Sequence, residues 1–274
     1  MKRGIFVLLV LILINISFAS AAVLFESEWN NSLGNSSTSR TDGGKWDITG
    51  GSGLSVISSS GLDFPTTNVL EVTALEATTG YAFLRKTGMV VPSIGESRYY
   101  RWYSRMVATD GLSDTETHPH QDGNAIGDSN WLFHVFHNSG GNGFWRPRFM
   151  SRAVENPSHT FYLLDGTLNK GVTYRFELNI TRTDTSTFQM HANVYNSSGD
   201  LIYNDANFVN EDNASESLAN NLTFNFHDLN NMDGFNAGLN GLGGSEWFPS
   251  MVYMYQGAIC IRNDTWCGPY NGGI

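Results

Sequence analysis

Apolar and polar residues alternate with a period of two along much of this chain. In the clearest run, the apolar parity holds Val172, Tyr174, Phe176, Leu178 and Ile180. The next run repeats the pattern with Phe188, Met190, Ala192 and Val194. A strand points successive side chains to opposite faces of its sheet, so both runs predict strands with one buried face.

Short segments of this kind recur along the chain, divided by turn clusters such as 50–53, 58–61 and 196–199. Residues 210–222 are the one segment whose pattern favours a short helix. About a dozen strands at short intervals predict an all-β fold of two packed antiparallel sheets, a β-sandwich.

The segment RYYRWYSRMV at 98–107 is the central strand of this prediction. Tyr100 and Trp102 share the parity expected to face the core, while Arg101, Tyr103 and Arg105 share the other. Aromatic rings that alternate with guanidinium groups suit an acidic sugar chain, because arginine forks match carboxylate geometry.

A second strand, 144–153, carries three more arginines, Arg146, Arg148 and Arg152. We expect the two arginine strands to converge in one groove. The alternative is a solvated sheet on which each arginine pairs with a neighbouring acid.

The first 21 residues have the pattern of a secretory signal peptide. Lys2 and Arg3 precede an apolar run at 5–18 and the small residues 19–21. We therefore predict a leader at 1–21 and one exported domain at 22–274, with an uncleaved N-terminal anchor as the alternative. The later sequence contains no apolar stretch long enough to span a membrane.

Charge and cysteine content narrow the partners. Without Lys2 and Arg3 the chain has 14 basic against 26 acidic residues, which argues against nucleic acid as a partner. Cys260 and Cys267 are the two cysteines. In an exported chain this pair predicts a local disulfide.

The order of these segments resembles the concanavalin A-like lectin and glucanase jelly roll. The motifs that carry the resemblance are YYRWYSRM, GVTYRFE followed by FQMHANVYNSSGDLIY, GFNAGLNG, and the final VYMYQGAICIRNDTWCGP. The ending is similar to that of exported lamin-G-like and polysaccharide-lyase jelly rolls. The resemblance covers most of residues 22–274 and implies a concave groove that recognises carbohydrate.

Alginate-lyase-like members imply a β-elimination chemistry: a cation neutralises the uronate carboxylate, a base removes the C5 proton, and an acid protonates the leaving oxygen. Candidates in the same chain order are Arg101 or Arg105, then His134 or His137, then Tyr253 or Tyr255, with His191 as a further candidate. The acidic E-x-D-x-E strand of retaining glucanases has no counterpart, since the nearest strand offers Glu177 alone.

Two polar loops are partial metal motifs. His118, His120 and Asp122 have ligand spacing for a transition metal, and residues 228–234 partly resemble a calcium loop. A solvated loop explains both patterns, so we predict no cofactor and keep calcium as the alternative.

These observations together predict an exported protein that binds a polysaccharide, preferably acidic, on the concave sheet. Tyr195 would stack on sugar rings with Tyr103. The predicted binding residues are Arg101, Tyr103, Arg105, Arg146, Arg148, Arg175, Glu177, Gln189, His191 and Asn193. The alternatives are a divergent polysaccharide lyase, with Arg101, His134, His191 and Tyr253 as its catalytic residues, and a structural surface domain without a ligand.

Overall fold

The chain forms two antiparallel β-sheets in the computed structural model. The structure describes residues 23–30, 45–51, 54–74, 81–108, 119–126, 133–138, 144–151, 160–163, 168–210, 213–225, 234–240 and 252–271. These residues contain nineteen strands and two short 3-10 turns, Asp205–Asn207 and Leu218–Asn220. The predicted all-β sandwich is confirmed. The predicted helix at 210–222 is wrong, since the described part of that segment has only a single 3-10 turn.

The first sheet contains ten of the described strands. They are β1 (Val23–Ser27), β3 (Leu54–Ser58), β4 (Asn68–Ala74), β6 (Ser97–Ala108), β12 (Tyr174–Arg182), β13 (Thr187–Tyr195), β14 (Leu201–Tyr203), β16 (Phe224–Asn225), β18 (Val252–Gln256) and β19 (Ile259–Arg262). The main order is β14-β13-β12-β6-β18-β4-β3, with β19 also pairing β6. The central strand of the sequence pattern is therefore central in the sheet.

The second sheet contains the other nine described strands. They are β2 (Ile48–Gly51), β5 (Tyr81–Lys86), β7 (Pro119–Ile126), β8 (Phe133–Asn138), β9 (Phe144–Ser151), β10 (Thr160–Leu163), β11 (Leu168–Asn169), β15 (Phe208–Asn210) and β17 (Phe235–Asn240). The order is β15-β10-β9-β8-β7-β17-β5-β2, with β11 beside β9.

The core lies between the sheets and is rich in aromatic rings. Trp102 of β6 stacks on Phe176 of β12 with ring centroids 5.4 Å apart, and both side chains are buried. Tyr100 of the first sheet stacks on Phe235 of the second at 5.9 Å, which joins the two layers. The parity predicted to be apolar along β6, β12 and β13 is the one that packs in the hydrophobic core. Because each ring buries a large area, these contacts supply much of the force that holds the sheets together.

Several sequence predictions fall outside the described residues. They are the leader at 1–21, His118, and residues 228–233 of the calcium-like loop. Within the described part of the chain, no three His, Cys, Asp or Glu side chains cluster as metal ligands. No helix in that part is long and apolar enough to cross a membrane. The predicted disulfide Cys260–Cys267 is formed, with Cα atoms 6.2 Å apart.

Candidate functional site

The outer face of the first sheet, which points away from the core, carries rows of polar and aromatic residues. In one row, Glu177 of β12 lies opposite Arg101 of β6 and Asn193 of β13. In the next row, Arg175 lies opposite Tyr103 and Tyr195. Directly opposed residues of antiparallel strands share a face, so these predicted binding residues are brought together.

Three charged side chains of this face are almost fully buried. Arg101 and Glu177 are each 3% exposed and Arg175 is 7% exposed. The Arg175 Nε lies 3.3 Å from the Glu177 Oε1, and the Arg101 Nη2 lies 3.8 Å from the Oε1 of half-exposed Glu26. Burial raises the pKa of the Glu177 carboxyl, although the charges of Arg175 and Arg101 oppose the shift. Burial likewise lowers the pKa of the Arg101 guanidinium.

The cover over Arg101 is the disulfide segment, defined here as residues 263–271, which contains Cys267. The Arg101 Nη1 donates to the Gly268 carbonyl at 3.2 Å, and the Tyr270 backbone N–H donates to the Tyr103 hydroxyl at 2.9 Å. The Tyr270 ring also lies 5.8 Å from the Arg101 guanidinium carbon. Arg101 therefore lies beneath the segment, which corrects the prediction that it lines an open groove.

A second loop, 59–66, covers the same face farther along β6. The Leu62 carbonyl accepts from Arg105 Nη1 and from Thr173 Oγ1, each at 2.8 Å. Phe64 of this loop comes so close to Gly257 that a Cβ built there would lie 2.6 Å from the ring. Because glycine has no Cβ, Gly257 allows the loop to pack against the sheet.

A cleft of about 250 Å³ remains between these covers. Its floor is formed by Tyr103, Thr173 and Arg175. Its walls come from three loops: residues 63–65, the turn 196–199, and Pro269 with Tyr270 of the disulfide segment. The cleft places aromatic rings beside several polar and charged side chains, so its lining is more polar than that of most small-molecule sites.

Arg175 is the cationic group of the cleft. Its guanidinium carbon lies 3.8 Å from the centre of the Tyr195 ring, so the ring packs against the guanidinium plane. The Arg175 Nε has no hydrogen-bond acceptor among the described residues, although Glu177 lies close. Stacking and the ion pair together fix the side chain in one orientation, which favours recognition of a planar anion.

Two of the predicted arginines lie elsewhere. Arg146 and Arg148 are in β9 of the second sheet, where Arg148 lies opposite Phe136 of β8 and Tyr162 of β10. The expectation that both arginine strands line one sheet face is therefore wrong. The alternation within each strand identifies its two faces but not the sheet to which the strand belongs.

The lyase candidates are also divided between the sheets. His134 is in β8 of the second sheet, opposite Ala125 and Met150. The first sheet contains the other three candidates, Arg101 in β6, His191 in β13 and Tyr253 in β18. The four residues predicted for the lyase thus do not share one sheet, and His134 is the one that is separated.

His191 has a partner that the sequence did not indicate. Its Nδ1 lies 2.7 Å from the Oδ2 of Asp205, and the other Asp205 oxygen accepts from the Ala192 backbone N–H at 2.6 Å. Both side chains are partly exposed. The carboxylate holds the imidazole in one orientation through Nδ1, the arrangement that leaves Nε2 for proton transfer. The neighbouring Gln189 donates to the Asn221 carbonyl at 3.1 Å.

Sequence reasoning missed the residues that complete the cleft, namely Asp63, Phe64, Thr173, Pro269 and Tyr270. All but Thr173 lie in loops, where no periodicity marks a face. Thr173 has the polar parity of Arg175 and Glu177, but the pattern alone did not assign it to a site. The predicted disulfide was the one signal available, because it indicated that the residues near Cys267 fold back onto the last strand.

No family model matches the sequence, and a search of curated proteins finds no match. Solved structures do match. The endo-β-1,4-glucuronan lyase of the fungus Trichoderma reesei aligns with a TM-score of 0.51 at 14% identity, over 88% of this chain and 95% of that one. Alginate lyase Aly36B aligns at 0.50 and 16% identity, over 88% and 97%. A mutant of Aly36B in complex with alginate trisaccharide aligns at 0.51 and 15% identity, over 89% and 100%.

These likenesses span nearly the whole of each matched chain, and at such low identity they establish the fold alone. The chain has the jelly-roll β-sandwich architecture found in polysaccharide lyases.

Proposed function

We propose that this chain is an exported carbohydrate-binding protein that recognises an acidic glycan in the cleft on the outer face of its first sheet. The observation that carries the proposal is the cleft itself, in which the fixed Arg175 lies beside the aromatic Tyr103 and Tyr270. Apolar rings suit the flat faces of sugars, and a guanidinium suits a carboxylate.

The charges beneath the cleft support an anionic ligand. Arg101 and Arg175 contribute two buried positive charges, whereas Glu177 is the buried carboxylate between them. Glu26 forms an ion pair with Arg101 at 3.8 Å and is 39% exposed, so water partly screens its charge. Of the charged groups that line the cleft, Arg175 is buried and Asp63 is exposed, so the buried charge of the lining is positive.

Export is part of the proposal. The leader pattern at 1–21 and the disulfide Cys260–Cys267 support an oxidising location outside the cytoplasm. The solved lyases named above act on glucuronan and alginate, and an acidic polysaccharide of this kind is the ligand class we propose here.

Binding of the full chain to a panel of acidic and neutral glycans tests the proposal. We expect binding to uronate-containing glycans, and we expect Tyr270→Ala to weaken it because Tyr270 forms a wall of the cleft. Tyr203→Ala is the matched control, since Tyr203 lies on β14 and is not part of the cleft lining. Absence of binding to every glycan on the panel would refute the proposal.

A divergent polysaccharide lyase is the second candidate function, and the His191–Asp205 pair favours it. In β-elimination, His191 Nε2 would take the C5 proton of a uronate and the electrons of the C5–H bond would form the C4–C5 double bond. The C4–O bond would break, and the leaving oxygen would take a proton from water. The unsaturated product absorbs ultraviolet light. Absorbance that rises with time for the native chain and not for His191→Asn would establish this function, and a flat trace for both would exclude it.

A further inference from the structure

We infer that the cleft is a chain-end pocket, which takes a single carboxylate-bearing sugar unit at the terminus of a glycan rather than an internal stretch of polymer. This inference rests on the proposed function and names its ligand more narrowly. Three features of the described residues support it: the size of the cleft, the cover over β6 and β12 beside it, and the position of its positive charge.

The size of the cleft fits one sugar ring. Its volume is about 250 Å³. Clefts that hold drug-sized molecules measure roughly 300–1,000 Å³. A ligand of several linked rings would therefore extend beyond the walls.

Along β6 and β12, the described residues leave no open path for a polymer beyond the cleft. The next row along β12 contains Glu177 with its neighbour Arg101, each 3% exposed, and the row after it contains Asn179, 5% exposed. A polysaccharide that lay along β6 and β12 would have to displace the disulfide segment, which Arg101 and Tyr103 hold by hydrogen bonds. An internal stretch laid along β6 and β12 would thus meet covered residues, while a chain end can enter from the open rim.

The walls close the cleft on three sides. The turn 196–199 is fixed by two hydrogen bonds between Asn196 and Asp200, at 2.8 and 3.0 Å. On the opposite side, the 59–66 loop is fixed through the Leu62 carbonyl. Because one wall is bonded to the sheet and the other is a braced hairpin turn, the pocket exists before the ligand arrives, which reduces the entropy lost on binding.

The groups of the cleft match one acidic sugar. Arg175 is held flat against Tyr195 and presents a positive charge on the cleft lining. The Tyr103 hydroxyl already accepts from the Tyr270 N–H, which leaves its own proton available to a ligand oxygen. Exposed Asp63, Ser197 and Ser198 at the rim provide acceptors and donors for hydroxyl groups.

Calorimetric titration of the full chain with three sets of uronate ligands tests the inference. The first is an oligosaccharide with a uronate at its terminus, the second has the same uronate flanked on both sides by neutral sugars, and the third is the terminal ligand with its carboxylate methylated. We expect the terminal acid to bind roughly 10-fold or more tightly than either of the others, because a hydrogen bond to a charged group contributes more than one to a neutral group.

Arg175→Gln should weaken binding of the terminal acid by a similar factor and leave binding of the methylated ligand nearly unchanged. Arg182→Gln is the matched control, because Arg182 lies on the same strand and donates to Pro92 and to the 184–185 turn instead. The comparison among ligands uses the native chain, so it remains decisive even if Arg175→Gln does not fold.

The outcomes separate this inference from the proposed function. Equal affinity for terminal and internal uronates, or for acid and methyl ester, would overturn the chain-end pocket while carbohydrate binding stands. Binding of no glycan at all would overturn both.

Discussion

Removal of the disulfide should loosen the cover over Arg101 and destabilise the whole sandwich. Cys260 and Cys267 are seven positions apart, and the bond closes a short loop between the last strand and the segment that crosses the outer face. The chain-entropy relation for such a loop gives about 2.5 kcal/mol at 25 °C. We therefore expect Cys260→Ala with Cys267→Ala to lower the free energy of unfolding by about that amount, roughly a 60-fold change in the folding equilibrium.

The folded state of this double variant should differ locally as well. The disulfide segment keeps its bond from Arg101 to the Gly268 carbonyl and its Tyr270 N–H bond to Tyr103. Such bonds contribute about 0.5–3 kcal/mol each, so the segment should stay mainly in place but open more often. Hydrogen exchange at the Tyr270 amide should accelerate by more than the exchange at core amides of β12.

Urea denaturation measures the first effect, and exchange followed by mass spectrometry measures the second. The matched control is the native chain with and without reductant: reductant should reproduce both effects in the native chain and change nothing in the double variant. An unchanged free energy of unfolding together with unchanged Tyr270 exchange would refute the reasoning, because the segment would then be held without its cross-link.

Three further predictions test the packing of the core, the contact of the 59–66 loop with Gly257, and the buried carboxyl of Glu177. Phe176→Ala should lower the free energy of unfolding by about 3–5 kcal/mol, measured in urea, because Phe176 is fully buried against Trp102; a loss below about 1 kcal/mol would contradict the packing. Gly257→Ala should lower the free energy of unfolding by about 1–3 kcal/mol and weaken glycan binding, because the added Cβ would displace Phe64 from the cleft wall. Unchanged glycan affinity would contradict this, since the loop would then accommodate the added methyl group. Since the pKa of Glu177 is raised in the folded state, its contribution to stability is fully present below its unfolded pKa, near 4.5, and is lost as the pH rises through the raised value. Urea titrations of the native chain and of Glu177→Gln across pH measure the difference between their free energies of unfolding. This difference, native minus variant, should fall from about pH 4.5 upward, and a difference that rises with pH would contradict the sign of the shift.

The fold was largely predictable because strand alternation is a local property. The parity that placed Tyr100 and Trp102 inside is the one that packs in the hydrophobic core, and the same rule holds for Phe176 of β12. Burial of one face of a strand requires every second residue to be apolar, and this requirement is written in consecutive residues. The local disulfide was predictable for a similar reason, since its two cysteines lie close in the chain.

The candidate site was predictable only in part. The sequence identified the polar parity of β6, β12 and β13, and the register places Arg101, Glu177 and Asn193 in one row as a shared face requires. It did not indicate that these charges lie beneath a cover. Whether a polar face meets water or a loop depends on segments distant in the chain, such as 59–66 and 263–271.

What the sequence by itself determined is the class of fold, the face of each strand and the chemical character of that face. The tertiary structure decided the sheet to which each strand belongs, and so separated Arg148 from Arg101. It also decided which arginine borders a cleft and which is covered, and it joined His191 to Asp205. The physical reason is the distance along the chain between the interacting residues. Side-chain alternation is fixed by neighbouring peptide units, whereas strand pairing and the packing of loops over a sheet depend on contacts between residues tens to hundreds of positions apart.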